Sequence, residues 1–311
     1  VDRGADDLIE IKVKPEWKDL PLNTHVESDR PDFIKNVADV VNAIKGYDLP
    51  TSAFLGYEDG MIPNGTAAYE KRGVAEEVST WMSENCIQCN QCSYACPHAC
   101  IRPILATEEE AAKAPEGTVW LKAVGRGLEG LKYRIQVSIL DCTGCAVCVN
   151  TCPAKEKALK LTPITEQIAA NQHLRAEYLY NEVTPKVNLV GKTTYKNVQF
   201  ERPLFEFSGA CGGCGETPYI KFATQLFGER MVIANATGCS SIYGGSFPAS
   251  PYTKNAEGRG PAWANSLFED NAEFGFGMVI AQNTIRDRIQ HLIAERKAEL
   301  KNEELKSLLE E

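Results

Sequence analysis

Eight of the twelve cysteines in this 311-residue chain fall into two runs of identical spacing. Cys86, Cys89, Cys92 and Cys96, followed by Pro97, form the first; Cys142, Cys145, Cys148 and Cys152, followed by Pro153, form the second. Cysteines cross-link, ligate metals or cycle between thiol and disulfide, and spacing separates these uses. Three thiolates on one tight loop wrap three corners of a four-iron cubane. The longer gap and the proline push the fourth onto a new element, where it serves the other cluster of a two-cluster protein. The expected ligand sets are therefore crossed: Cys86, Cys89, Cys92 and Cys152 hold one [4Fe–4S] cluster, and Cys142, Cys145, Cys148 and Cys96 hold the other. Zinc takes four ligands in pairs, not two four-cysteine runs each ending in Cys-Pro. A disulfide framework belongs to an oxidising compartment, and with no export signal in view a cytoplasmic location is expected.

Four cysteines remain. Cys100 lies four residues past Cys96 and is an alternative to it as ligand, but the Cys-Pro rule favours Cys96; Cys100 is expected to be a buried small hydrophobe. His98 is expected to be a helix-turn residue and at most a donor to a ligand. Cys211 and Cys214 sit among Gly209, Gly212, Gly213 and Gly215, and Cys239 follows 25 residues later. Glycines let a backbone approach a large inorganic ligand. On spacing alone this group is an incomplete third cluster, a zinc site or a redox dithiol.

The elements that must position these groups can be outlined. Length points to about two domains. Ile9 to Val13 alternates as a strand, and Phe33, Ile34, Val37, Val40, Val41 and Ile44 make a helical stripe. Gly46 to Lys71 is rich in glycine and proline and is expected to be an extended connector over a neighbouring domain, within a connector region 1–80. Residues 81–175 hold both cysteine runs, separated by about 45 residues. That insert is expected to carry an acidic helix over Thr107–Lys113 and strands over Val119–Leu121 and Tyr133–Leu140, ending on Asp141. Residues 176–202, with a strand-like Val187–Val190, are expected to be a linker. From residue 203 to 311, a helix over Glu216–Phe227, a buried strand over Arg230–Ala236 and a loop over Gly238–Pro251 form an α/β unit, whose strand ends favour ligands. Val279–Glu311 is expected to be one long helix with Ile285, Ile289, Leu292 and Ile293 as a packed stripe.

Composition limits the remaining possibilities. A net charge of −9 without a basic block argues against nucleic acid, and no run of 18 apolar residues offers a membrane span. Val1 in place of Met, and a helical pattern still running at Leu308 and Leu309, lead to the expectation of a piece of a longer polypeptide.

Longer motifs resemble one enzyme family. Cys86-Ile87-Gln88-Cys89-Asn90-Gln91-Cys92 with Cys96-Pro97-His98, and Tyr69-Glu70-Lys71-Arg72-Gly73-Val74-Ala75 upstream, resemble the ferredoxin-like domain of pyruvate:ferredoxin (flavodoxin) oxidoreductases. Ser208 to Tyr219, Thr237 to Gly245 and Gly258 to Asn271 resemble the start of that family's thiamine-diphosphate domain. The resemblance implies an α+β two-[4Fe–4S] ferredoxin-like domain followed by the first part of an α/β thiamine-diphosphate-binding domain. It implies oxidative decarboxylation of pyruvate with coenzyme A to acetyl-CoA and carbon dioxide, in a homodimer, with ferredoxin or flavodoxin as electron acceptor. It also implies a third cluster on Cys211, Cys214 and Cys239, completed by a cysteine elsewhere in the polypeptide, and contacts from Glu216 and Cys239 to thiamine diphosphate. The family's Gly-Asp-Gly motif for Mg2+ and diphosphate is not among these residues. A stand-alone two-cluster electron-transfer module, or an enzyme for another 2-oxoacid, are the alternative readings.

Overall fold

The computed structural model describes residues 10, 12–19, 29–297 and 301–308. Ile9 and Ile11 of the anticipated first strand lie outside them, and Lys12 and Val13 are not in a strand. The first helical stripe forms as a π-helical turn, Ile34–Ala38, running into α1, Asp39–Asn42. Phe33, Ile34, Val37 and Ala38 make a small core with Val41, Phe54 and Tyr57. Ile44, counted in the stripe, is instead 92 % exposed, because the helix ends before it and its φ is +61°. The following connector does lie over a neighbour. Gly65 N donates to Tyr252 O at 2.7 Å, and Thr66 Oγ1 donates to Pro248 O at 2.8 Å.

The cysteine runs sit within two antiparallel sheets. β1, Glu77–Trp81, leads into the first run. α2, Gln91–Ala95, lies inside it, and β2, Ile101–Ala106, leaves it. Then come α3, Glu108–Ala112, β3, Leu121–Lys122, and β4, Lys132–Val137. α4, Val147–Thr151, lies inside the second run, and β5, Leu159–Pro163, leaves it. β1 pairs with β5, and the other sheet has the order β2-β4-β3. The insert is close to expectation. Thr107 caps α3 through a capping box with Glu110, although the second strand stops at Val137 rather than at Asp141. β2 was not anticipated, because Pro103 interrupts its pattern. Proline is tolerated there since β2 is an edge strand with β4 as its single partner.

Residues 176–202 are not a linker. α5, Ile164–Ala169, leads to α6, Gln172–Asn181, and α7, Tyr195–Val198, follows. Leu179 and Val183 pack with Ala106, and Phe200 enters the main core. Val187–Val190 is turn, not strand. This core gathers Val78, Ile101, Tyr133, Ile135, Ile139 and Leu159 around five of the cysteines.

The last segment has α8, Thr217–Phe227, β6, Val232–Ala236, α9, Cys239–Gly245, β7, Ala262–Ser266, α10, Asn271–Lys297, and α11, Glu303–Leu308. β6 and β7 pair in parallel, as the α/β reading requires, but β6 is half-exposed rather than buried. α9 replaces part of an expected loop. Its two terminal glycines mask it in the sequence, yet they are what seats it: a Cβ on Gly245 would stand 2.6 Å from the Trp263 ring. α10 starts at Asn271, eight residues early, and Lys301 and Asn302 are not helical, so the described residues do not form one continuous helix. Its expected packed stripe is solvent-facing: Ile285, Ile289 and Leu292 are each about half exposed.

Candidate metal centre

The two cysteine runs repeat the same backbone turns. Gln88 and Gly144, each just before the second cysteine, have φ of +57° and +67°. Asn90 and Ala146, each capping a five-residue helix, both have φ of +60°. Cys96 and Cys152 end those helices in extended conformation, both with ψ of 119°. The reason is steric: a residue before proline is driven out of the helical region. That turn carries each fourth cysteine away from its own loop.

It carries them to the crossed destinations. One cavity is lined by Cys86, Cys89, Cys92 and Cys152. The other is lined by Cys142, Cys145, Cys148 and Cys96, and also by Cys100. Among the described residues no three His, Cys, Asp or Glu side chains converge as a site for a single metal ion. Four cysteines spread around a cavity wall fit a multinuclear cluster better than one zinc, whose thiolates would all stand about 2.3 Å from one point.

Each loop is held by side chains that the cysteine spacing does not reveal. Gln88 Nε2 donates to Lys122 O at 2.9 Å, and Val124 N donates to Gln88 Oε1 at 3.0 Å. Asn90 donates to Lys196 O at 2.9 Å and accepts from the Tyr133 hydroxyl at 2.8 Å. These bonds hold two non-glycine residues in a left-handed conformation. In the second loop Gly144 N donates to Cys142 Sγ at 3.5 Å, and Ser79 Oγ on β1 lies 3.3 Å from Cys148 Sγ. Ala158 N donates to Cys152 Sγ at 3.4 Å. Donors to sulfur help offset a cluster's negative charge.

Cys100 is more than a small hydrophobe. It is buried and its Sγ lies 3.4 Å from Cys96 Sγ. Hydrogen bonding from Cys100 holds Cys96 well below the ordinary thiol range and Cys142 down at about 7. Burial pushes Cys92 up and Cys148 up to about 12. The raised Cys148 thiol keeps its proton until a metal displaces it, so iron loading of the second cavity should strengthen as pH rises. Reconstitution of the apo-chain between pH 6 and 9, followed by cluster absorbance, checks this; pH-independent loading would contradict it.

The third cysteine group is built differently. Cys211 and Cys239 are exposed and Cys214 is half-buried. Cys214 N donates to Cys211 O in a tight turn, and Cys239 opens α9. Tyr243, on α9, is buried, and its hydroxyl has no hydrogen-bond partner of ordinary geometry. Burial raises its pKa, and so do the nearby Glu216 carboxylate and Cys214. Glu216, Cys214 and α9 are therefore neighbours. The turn also abuts the second run, since a Cβ on Gly213 would touch Cys145 Cβ at 3.7 Å.

The Glu70-Lys71-Arg72 segment joins these parts. Lys71 Nζ donates to Asp141 at 2.6 Å, one residue before Cys142, and lies over the Phe207 ring. Gly73 N donates to Leu140 O at 2.8 Å. Arg72 pairs with Glu70 and borders Gly209. His98 is buried, with Nδ1 3.1 Å from Ser208 O, and its Nε2 has no hydrogen-bond partner.

Crossed cavities on a repeated loop fit an iron–sulfur module of ferredoxin-like α+β build. Residues 85–158 match the family model of a 4Fe-4S dicluster domain, and residues 20–75 match one described as a domain of unknown function, EKR. The chain is 53 % identical over 94 % of its length to a pyruvate:ferredoxin oxidoreductase of Moorella thermoacetica, covering 25 % of that protein. It is 52 % identical over 93 % of its length to a pyruvate-flavodoxin oxidoreductase of Enterobacter agglomerans, covering 24 % of it. A pyruvate dehydrogenase [NADP(+)] of Cryptosporidium parvum is 49 % identical over 94 % of this chain, which covers 15 % of that protein. The resemblance expected from the motifs therefore holds along nearly the whole chain, which spans about a quarter of the first two relatives. No described helix is long and apolar enough to cross a membrane.

Proposed function

We propose that this chain is the electron-exit segment of an oxidoreductase that decarboxylates pyruvate with coenzyme A and passes the electrons to ferredoxin or flavodoxin. The carrying observation is the near-uniform match, at about half identity over 94 % of the chain, to a protein named for that reaction. Each relative cited above is named for pyruvate, which favours it over other 2-oxoacids.

Each [4Fe–4S] cluster supplies one-electron transfer when bound, and thiamine diphosphate with Mg2+ supplies carbanion chemistry. Cys86, Cys89, Cys92 and Cys152 hold one cluster; Cys142, Cys145, Cys148 and Cys96 hold the second. Cys211, Cys214 and Cys239 give three ligands to a third, and Glu216 and Cys239 face the thiamine. The contacts support this order of sites. The Cys211–Cys214 turn abuts Cys145, and α2 of the first run packs against α4 of the second. A stand-alone ferredoxin has no use for that turn. Residues 81–175 form the ferredoxin-like domain and 203–311 the start of the thiamine domain, in a homodimer.

The test is anaerobic assay of the full-length protein with pyruvate, coenzyme A and an oxidised ferredoxin or flavodoxin. Acceptor reduction that requires both pyruvate and coenzyme A is expected. Reduction with 2-oxoglutarate but not pyruvate, or none at all, would overturn the assignment.

A further inference from the structure

α8 buries a polar face. Its buried residues are Thr217, Lys221, Thr224 and Gln225, a polar stripe at helical spacing, while Tyr219 and Phe227 are 70 % and 64 % exposed. Helices of soluble domains ordinarily bury the apolar stripe. Lys221 is the extreme member, at 1 % exposure. Its ammonium donates to three backbone carbonyls: Ser93, Tyr94 at 3.0 Å and Cys96 at 3.3 Å. None of these partners is a carboxylate.

A buried cation without a paired anion is costly, and carbonyl dipoles offset only part of that cost. One of its acceptors is the backbone of Cys96, whose side chain lines the second cysteine cavity. The matching position in the repeat sharpens the point. Lys157 donates to Cys152 O at 2.6 Å and Asn150 O at 3.3 Å, so it caps α4 as Lys221 caps α2. Lys157 is exposed, however, and comes from the same domain. Lys221 is dry and comes from the segment that carries Cys211, Cys214 and Cys239. Solvent screens one charge and not the other.

We infer that Lys221 is a positioning residue for electron transfer: a buried charge, delivered by the neighbouring segment, that raises the reduction potential of the cluster held by Cys96, Cys142, Cys145 and Cys148 above that of its repeat mate. The inference rests on the cluster assignment proposed above. The step concerned is the gain of one electron by that cluster from an external one-electron reductant, with no bond made or broken. The added negative charge is what the ammonium stabilises, since net charge and buried dipoles set such potentials.

The experiment is redox titration of the anaerobic full chain with dithionite, followed by EPR, with Cys89→Ser and Cys145→Ser identifying which signal belongs to which cavity. In the wild type, the signal lost in Cys145→Ser should reduce at the higher potential. Lys221→Met should weaken its reduction at least about tenfold, 59 mV for one electron. Lys157→Met should shift the other signal less than about threefold, and Lys221→Arg should stay within about threefold of wild type. Loaded clusters with unmoved potentials in Lys221→Met would overturn the inference. Should that variant not fold, a wild-type order opposite to the one stated would overturn it equally. Absence of iron–sulfur clusters from the wild type would instead defeat the underlying assignment.

Discussion

Cys145→Ser is expected to cost the chain about four iron atoms and one of its two ferredoxin-type EPR signals, while Cys100→Ala keeps both. Both cysteines line the same cavity, so the contrast rests on geometry. Cys96 and Cys100 place their sulfurs 3.4 Å apart, too close to occupy separate corners of one cubane. One must therefore be the ligand and the other its neighbour. Cys96 is turned outward by Pro97 in the same way that Cys152 is turned by Pro153, with the same ψ, and the symmetry makes Cys96 the ligand. Cys100 then gives its S–H proton to the ligating sulfurs. Iron and sulfide analysis of the two variants distinguishes these roles. Loss of iron in Cys100→Ala with retention in Cys96→Ala would reverse the assignment.

Gly144→Val should do comparable damage through the backbone. Gly144 has φ of +67°, and a Cβ there would stand 2.7 Å from the carbonyl oxygen of Glu77. The left-handed conformation costs a side chain roughly 1–2 kcal/mol. The clash adds to this, because Glu77 is fixed opposite Pro163 in the β1–β5 ladder and cannot step aside freely. Overpacking of this kind costs about 1–3 kcal/mol more. The expected result is an unfolding free energy lowered by about 2–5 kcal/mol and loss of the second cluster. The mate position behaves differently. Gln88→Gly keeps the conformation and loses two hydrogen bonds, about 1 kcal/mol each, so the first cluster should survive. Equal losses in both variants would show that the loop backbone does not decide loading.

The cysteine runs were legible because ligand spacing is a local property. The Cys-Pro spacing points to crossed fourth cysteines, and the fold sets Cys152 in the cavity of the first run and Cys96 in that of the second; the left-handed corners and five-residue helices are not part of that reading. The elements missed have non-local causes. β2 contains Pro103, which only its edge position excuses, and α9 ends in glycines that only Trp263 explains. Lys221 gives no local signal, since its partners lie about 125 residues earlier in the chain. Ser79 and Tyr133 reach the cavities from strands on either side of the first run. The Glu70-Lys71-Arg72 motif was visible, but its task of fixing the entrance to the second run became clear only from the Lys71–Asp141 pair. The α10 stripe failed in the opposite way: its period is helical, yet nothing among the described residues covers Ile285, Ile289 or Leu292.

On the proposed assignment the two runs share ligands crosswise to hold two [4Fe–4S] clusters in adjacent cavities. Iron, sulfide and zinc analysis of the anaerobically prepared chain, with EPR of the dithionite-reduced form, tests it most directly. The prediction is at least about eight iron and eight sulfide per chain, negligible zinc, and a reduced spectrum broadened by interaction between neighbouring clusters. A zinc-loaded chain without sulfide, or about four iron atoms giving one isolated signal, would contradict it.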